Sequence, residues 1–352
     1  MLVATSSIQG KKLKPRGRKG TKTFLDIPRE LRKKDLTDSV AGKHFKKILP
    51  PNVWEDFSAS ILDKGIESEE ALRWLKYATS NDSQGNPISP IAQIVKNNPY
   101  DPKAFEYLYG EKDALTPADV GYILTSGAHA IDLRLQGIVA NLPSIIKEER
   151  ARLRLRSDEK YIIYNIGSGH CLDTVYTFCD NPGLMDIAEV ICIDPDITSL
   201  SYGKALAKEL GVEKSFKFIP EKIENAKLEK AHLILFIGMF CPVSTKKCIL
   251  TLNFVKRYLF DEGVIIFSTV QEKMLMEGAL LDFIMWSYGW RMFFKSDNEP
   301  GRIAETAGLK HEKLMDWEDE LGYNRMTVAR KKSWSFWGFV KSSIQITKTL
   351  MA

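Results

Sequence analysis

The chain has few cysteines and does not pair them. Cys171, Cys179, Cys192, Cys241 and Cys248 are five, an odd number, and none stands in a CxxC pair. A disulfide framework is therefore not expected. Three of them sit in or beside apolar runs, where a reduced thiol acts as a small hydrophobe, and this points to a reducing, cytoplasmic setting. The five histidines are scattered without ligand spacing, so no zinc site is expected. No apolar run approaches the ~20 residues that span a bilayer. The N-terminus shows no apolar core of a secretory signal.

Acids are also missing from both ends. Residues 1–22 carry seven Lys or Arg, residues 330–352 carry five, and neither stretch has an acid. The formal charge is +5, so setting those twelve aside leaves −7 on residues 23–329. A nucleic-acid groove needs a basic stripe across the body, and this body is acidic. Nucleic acid is therefore not an expected partner. Residues 1–22 read as a disordered basic tail, because charge, Gly and Pro leave nothing to bury. Such a tail either stays solvated or touches an anionic surface.

What is present is ordinary globular material. Of 352 residues, 44% are hydrophobic and 27% charged, enough for one large domain or two modest ones. Residues 23–150 read as mostly helical. Val53–Leu62 and Glu69–Tyr77 show apolar residues at helical spacing. Thr116-Pro117-Ala118-Asp119 has the chemistry of a helix start. Helices are expected over Ala128–Leu142 and Pro143–Arg154.

From residue 160 the pattern alternates strand and helix. Strands are expected at Tyr161–Tyr164, Val190–Ile193, Ser215–Ile219, His232–Ile237, Gly263–Phe267, Leu309–Leu314 and Met326–Ala329. Helices are expected at Ser199–Leu210, Thr245–Phe260, Met274–Tyr288 and Pro300–Ala307. The fold class is α/β: a doubly wound, seven-stranded, Rossmann-like sheet over residues 151–330, with a helical region before it and an aromatic, basic tail over 331–352.

The chemistry gathers between Tyr161 and Asp194. A short apolar run leads into Asn165-Ile166-Gly167-Ser168-Gly169-His170, a helix, and a second apolar run closed by Asp194. Strand, glycine turn, helix and strand-end carboxylate form a nucleotide-binding half-site. Gly167 and Gly169 let the backbone turn sharply and approach a ligand. Ser168 lies between them, and His170 reads as a cap for the following helix. Asp194 lies where a carboxylate accepts both ribose hydroxyls, with Asp196 as the fallback. After the third strand, Glu221 and Lys222 border the expected adenine position, or form an exposed charged turn. After the fourth, Gly238 allows close approach, while Met239 and Phe240 pack on a ligand or on the core. No residue stands out as a catalytic base.

These residues resemble class I S-adenosylmethionine (SAM) dependent methyltransferases over about 160–330. The last two expected strands follow the antiparallel C-terminal hairpin of that superfamily. The chain also resembles a bacterial methyltransferase family with a glycine-His-glycine turn, through Trp290-Arg291-Met292, Glu299, Ala307-Gly308-Leu309, Asp316 or Asp319, and Val328-Ala329-Arg330. The resemblance implies SAM as cofactor, held by Asn165, Gly167, Ser168, Gly169, His170, Asp194, Glu221, Lys222, Gly238 and Met239. It implies methyl transfer to a small-molecule or amphipathic acceptor, since no Asn-Pro-Pro-Tyr-like signature follows the fourth strand. Asn165 departs from the pattern, because the superfamily starts the turn with an acid there. His170 or Cys171 takes the place of the third small residue. Two alternatives remain: another SAM-using transferase, such as an aminopropyl transferase, and a catalytically silent Rossmann-like scaffold. Trp286, Tyr288, Trp290 and Arg291 line the substrate pocket or pack on the sheet. Trp334, Phe336, Trp337 and Phe339 meet a membrane surface, a partner or an apolar patch of the same chain.

Overall fold

The computed structural model describes residues 26–65, 68–98, 101–108, 116–277 and 292–332. The expectations for residues 1–22, for Trp286 to Arg291 and for the aromatic tail after 332 lie outside the described residues.

The helical half is built from short helices, most of them started by a hydroxyl. They are α1 (Arg29–Asp38), α2 (Val40–Ile48), α3 (Pro51–Ala59), α4 (Glu69–Ala78), α5 (Pro90–Asn97), α6 (Pro102–Leu108) and α7 (Pro117–Ile123). Ser39, Ser68, Ser89 and Thr116 each accept the backbone N–H three residues on, at Gly42, Ala71, Ala92 and Asp119. Each cap satisfies one donor that a helix start would otherwise strand. Phe57 lies 5.3 Å from Phe45 and 4.5 Å from Trp74, ring to ring, at the centre of this half.

The long helix α8 (Ser126–Arg152) joins the two halves. Two helices were expected here. Pro143 lies inside a single 27-residue helix instead, with Leu142 and Ile146 fully buried on either side. Burial of that apolar stripe against the sheet outweighs the bond that proline cannot donate. The sheet core accordingly begins before residue 151, at Ile138.

The sheet holds β1 (Tyr161–Ile166), β2 (Ala188–Ile193), β3 (Phe216–Ile219), β4 (Ala231–Phe236), β5 (Leu259–Val270), β6 (Leu309–His311), β7 (Trp317–Glu318) and β8 (Asn324–Lys331). Their order is β3-β2-β1-β4-β5-β8-β6, with β7 paired to β8 off that path. The pairs from β3 through β5 are parallel, and β8 runs antiparallel between β5 and β6. The helices α9 (Leu172–Asp180), α10 (Ile197–Glu209), α11 (Thr245–Val255), α12 (Glu272–Glu277) and α13 (Glu299–Thr306) complete the winding. The fold is a doubly wound, Rossmann-like α/β sheet, with the reversal of strand order between β1 and β4.

Both faces of the sheet are covered, which is why its strands read as continuous apolar runs. Alternate residues divide between the faces. Ile163, Val190, Leu233 and Ile266 meet α8, α9 and α10, while Tyr164, Ile191, Ile234 and Phe267 meet α11 and α13. The third core packs the helical half against Cys241, Val270, Met274 and Tyr323. The helices thus cover the edge of the sheet where β4 and β5 end.

Several boundaries differ from the sequence expectation. The helix from Thr245 stops at Val255, not Phe260, because Leu259 already pairs with Ala231. β5 runs twelve residues, since β8 supplies a partner along Val264–Val270. The strand expected to reach Leu314 stops at His311, where a 3-10 turn follows. Trp317–Glu318 forms a strand too short to give a sequence signal. Of the helix expected over Met274–Tyr288, only the part through Glu277 lies in the described residues.

Candidate functional site

The site forms where β1, β2 and β4 end together. Gly167, Gly169 and Gly238 all have positive φ, at 64°, 51° and 76°. L side chains rarely adopt this region, so glycine is required for the backbone to turn here. A Cβ on Gly167 would stand 3.0 Å from Met239 Sδ, so the turn after β1 and the loop after β4 touch. A Cβ on Gly169 would meet nothing within 4 Å, so that side of the turn is open.

Asp194 ties β2 to this turn. Gly169 N–H donates to its Oδ2 (3.0 Å) and Asp196 N–H to its Oδ1 (2.9 Å). Each carboxylate oxygen keeps a further lone pair for a ligand. Burial pushes the Asp194 carboxyl above its usual range, and the two amide bonds oppose that rise. Asp196 is occupied otherwise. Its Oδ1 accepts Thr198 N–H (2.9 Å) and its Oδ2 accepts the Ser199 hydroxyl (2.8 Å), so it caps α10 and is no substitute for Asp194.

Asn165 departs from the sequence reading. It is 1% exposed and faces α9, not an open site. Its amide donates to Asp173 Oδ1 (3.0 Å) and Thr174 Oγ1 (3.2 Å). The carboxylate next to Asn165 is therefore Asp173, on the first turn of α9. Burial raises its pKa, while bonds from Thr174 and Asn165 and the charge of Arg134 lower it. His170 does not cap α9. Cys171 takes the cap position in a left-handed conformation, its thiol donating to Gly169 O (3.6 Å) instead of capping the helix, and it is fully buried. The His170 ring instead lies 4.4 Å from that of Tyr202 on α10.

Beyond β3, Asp194 N–H donates to Ile219 O (3.3 Å), which brings the next loop alongside the carboxylate. Glu221 and Lys222 are exposed there, and the Glu221 N–H is spent on Ile219 O (2.9 Å). That amide is therefore not free for an adenine ring. Phe240 is 1% exposed and stacks 5.1 Å from Phe236, so it belongs to the core. Gly238 N–H donates to Ser268 Oγ (2.7 Å), fixing the loop on the end of β5.

Two residues that the sequence reading did not single out lie near the site. Arg134 of α8 lays its guanidinium over Gly238, with three of its atoms 3.2–3.4 Å from where a Cβ would stand. Only the packing of α8 on the sheet brings residue 134 to residue 238. Ile197, an apolar residue three positions after Asp194 in the chain, is 64% exposed at the first turn of α10. Its position after a strand-end acid could have marked it.

The arrangement fits a nucleoside ligand. Ser168 Oγ is buried in the turn without a partner among the described residues, a hydroxyl awaiting one. The space at Gly169 and the remaining lone pairs of Asp194 lie beside it. A separate surface groove of about 740 Å³ between α8 and α9, lined by Val139, Pro143, Tyr176 and Asp180 among others, contains none of these residues. Among the described residues, no helix is long and apolar enough to cross a membrane.

No family model matches the chain, and no curated protein matches it. Among solved structures it is similar to magnesium protoporphyrin IX methyltransferase from Synechocystis PCC 6803 with bound S-adenosylhomocysteine, at 11% identity over 68% of this chain and 97% of that one, with a TM-score of 0.48. It is also similar to a possible exported protein from Bordetella parapertussis (12% identity, 87% and 97% covered, TM-score 0.47). A mitomycin 7-O-methyltransferase is a third (12% identity, 88% and 74% covered, TM-score 0.46). These likenesses are distant, and the Rossmann-like fold stands on the strand order and register of the chain itself.

Proposed function

We propose that the chain is a SAM-dependent methyltransferase acting on a small-molecule or amphipathic acceptor. The observation that carries this reading is the Gly169–Asp194 bond at the reversal of strand order, which sets an open glycine turn beside a strand-end carboxylate. The antiparallel β8 between β5 and β6 agrees with the methyltransferase resemblance.

SAM, when bound, supplies an electrophilic methyl group on a sulfonium. The residues present here fit its nucleoside. Asp194 would accept the ribose hydroxyls, Ser168 would hydrogen-bond near the turn, and Ile197 would cover an apolar face of the base. Gly167 and Gly238 let the backbone come close, with Met239 between them. In-line transfer needs the acceptor about 3 Å from the methyl in a site poor in water. The helical half covers the ends of β4 and β5 around Cys241 and Val270, which supports a closed site and a compact acceptor. The acidic body weighs against nucleic acid. The basic and aromatic ends are the proposed places for a membrane surface or a partner. Free cysteines throughout support a reducing, cytoplasmic compartment.

Calorimetric titration tests the reading. S-Adenosylhomocysteine is expected to bind well below about 1 mM, and NADH is not. Failure of both SAM and S-adenosylhomocysteine to bind at about that concentration would overturn it.

A further inference from the structure

The helical half buries a cation that it leaves unpaired. Arg32 lies on α1 and is 8% exposed. Its Nε and Nη1 are buried and have no hydrogen-bond partner among the described residues. A guanidinium stays charged at neutral pH, and every one of its nitrogens is a donor. Burial pushes its pKa down, and the charge of Asp63 partly offsets this. Asp63 does not bond to it, because its two oxygens accept from Arg29 at 2.7 and 3.2 Å. A buried charge without hydrogen bonds is a net cost to the free chain.

α1 belongs to the cover over the candidate site. It packs on α12, the helix that follows β5. Leu36, one turn beyond Arg32, is buried as Arg32 is, and it joins the core that holds Val270, Met274 and Leu275. Arg32 and Leu36 therefore share the inward face of α1. Val270 ends β5, and Ser268 of the same strand holds the loop after β4 through Gly238 N–H (2.7 Å). An acceptor under the helical half would lie at this edge of the sheet.

What Arg32 lacks is an anion. A carboxylate or a phosphate supplies lone pairs for the unpaired nitrogens and balances the charge. The apolar residues of the same core suit the rest of an amphipathic molecule. We infer that Arg32 binds the anionic group of the methyl acceptor, so that the acceptor is an amphipathic molecule with a carboxylate or phosphate end. This rests on the reading of the chain as a methyltransferase and names the class of its acceptor. Arg32 selects the substrate and takes no part in the transfer itself.

Octanoate, octyl phosphate and octanol share an apolar chain and differ in the end group. Each is titrated calorimetrically, with and without S-adenosylhomocysteine, into the wild-type chain, Arg32→Met and Arg32→Lys. Each protein is also melted without ligand. A hydrogen bond to a charged group corresponds to about 10- to 100-fold in affinity. The wild-type chain is expected to bind at least one of the anions more tightly than octanol by that factor, and the preferred anion identifies the end group. Arg32→Met is expected to bind both anions no better than octanol, and Arg32→Lys to keep the preference. S-Adenosylhomocysteine is expected to bind all three proteins alike. Arg32→Met is expected to melt no lower than the wild-type chain, since an apolar side chain replaces an unpaired buried charge. A wild-type chain without preference for either anion, or without binding of either below about 1 mM, would overturn the inference. So would a preference that survives in Arg32→Met. A lower melting temperature of Arg32→Met, or weaker binding of S-adenosylhomocysteine to it, would assign Arg32 to the fold or the cofactor and overturn the inference as well. If S-adenosylhomocysteine binds the wild-type chain and one of these results is seen, the inference alone fails. If neither SAM nor S-adenosylhomocysteine binds the wild-type chain, the methyltransferase reading fails and the inference with it.

Discussion

Replacing Asp194 with Ala removes one carboxylate that serves two purposes. Within the chain it accepts the amides of Gly169 and Asp196 at 3.0 and 2.9 Å. In the proposed complex its remaining lone pairs accept the two ribose hydroxyls. Bonds to a charged acceptor contribute about 1.5–3 kcal/mol each, so two of them amount to about 3–6 kcal/mol. The lower figure already corresponds to about 100-fold in Kd. The cost to the fold is smaller. Loss of two amide bonds is offset by relief of a carboxylate whose burial raises its pKa. Stability is expected to change by no more than about 1–2 kcal/mol. The assay is calorimetric titration of S-adenosylhomocysteine and its 2′-deoxy analogue into the wild-type chain and Asp194→Ala, with a thermal melt of each. The wild-type chain is expected to prefer the ribose form by about tenfold or more, and the variant to treat both ligands alike. Wild-type affinity in Asp194→Ala would refute the reasoning. So would a variant that still distinguishes the 2′-hydroxyl.

Acidification is expected to weaken ligand binding through the same carboxylate. The folded-state pKa of Asp194 is raised, so the folded chain binds a proton that the unfolded chain has already released. This contribution to stability is therefore greatest below the unfolded value and is lost as pH rises through the folded one. Ribose hydroxyls favour the ionised form, so the increase in Tm given by S-adenosylhomocysteine should grow over that window. A flat ligand-induced shift across acid pH, matching that of Asp194→Asn, would contradict this. At the opposite end of the sheet, Arg330 donates twice to Glu149, each at 2.7 Å, and joins β8 to α8. Burial pushes the Glu149 carboxyl up, but the bonds from Arg330 and Arg152 outweigh it and hold the group below its usual range. Breaking a buried pair by removing one partner costs about 3–5 kcal/mol. Arg330→Met should therefore lower the urea midpoint markedly, whereas Lys217→Met, which breaks a half-exposed pair with Glu189, should change it little.

Much of this fold is legible in the amino-acid sequence. Every long strand of the parallel core lies within a few residues of its apolar run. The reason is physical: strands covered on both faces must be apolar at nearly every position, as Ala231–Phe236 is. Gly167, Gly169 and Asp194 were readable for a similar reason. A strand-to-helix turn needs positive φ, and a strand-end carboxylate falls at a set distance along the chain. Gly238 and Met239 were placed by the end of their strand alone.

The rest depended on neighbours far away in sequence. Asn165 reads from the sequence as an uncharged departure from the acid that the resembled superfamily has at the turn, whereas its side chain donates to Asp173 of the next helix. His170 read as a cap, yet Cys171 holds that position and His170 packs on Tyr202. Arg134 lies more than a hundred residues from Gly238, and no local spacing joins them. Periodicity and turn chemistry are local, so the sequence by itself determined the strands, the glycine turn and the placement of Asp194. Which charges lie beside Asn165 and Gly238 was decided only when α8 and α9 packed on the sheet, because burial against distant residues sets where Arg134 and Asp173 lie.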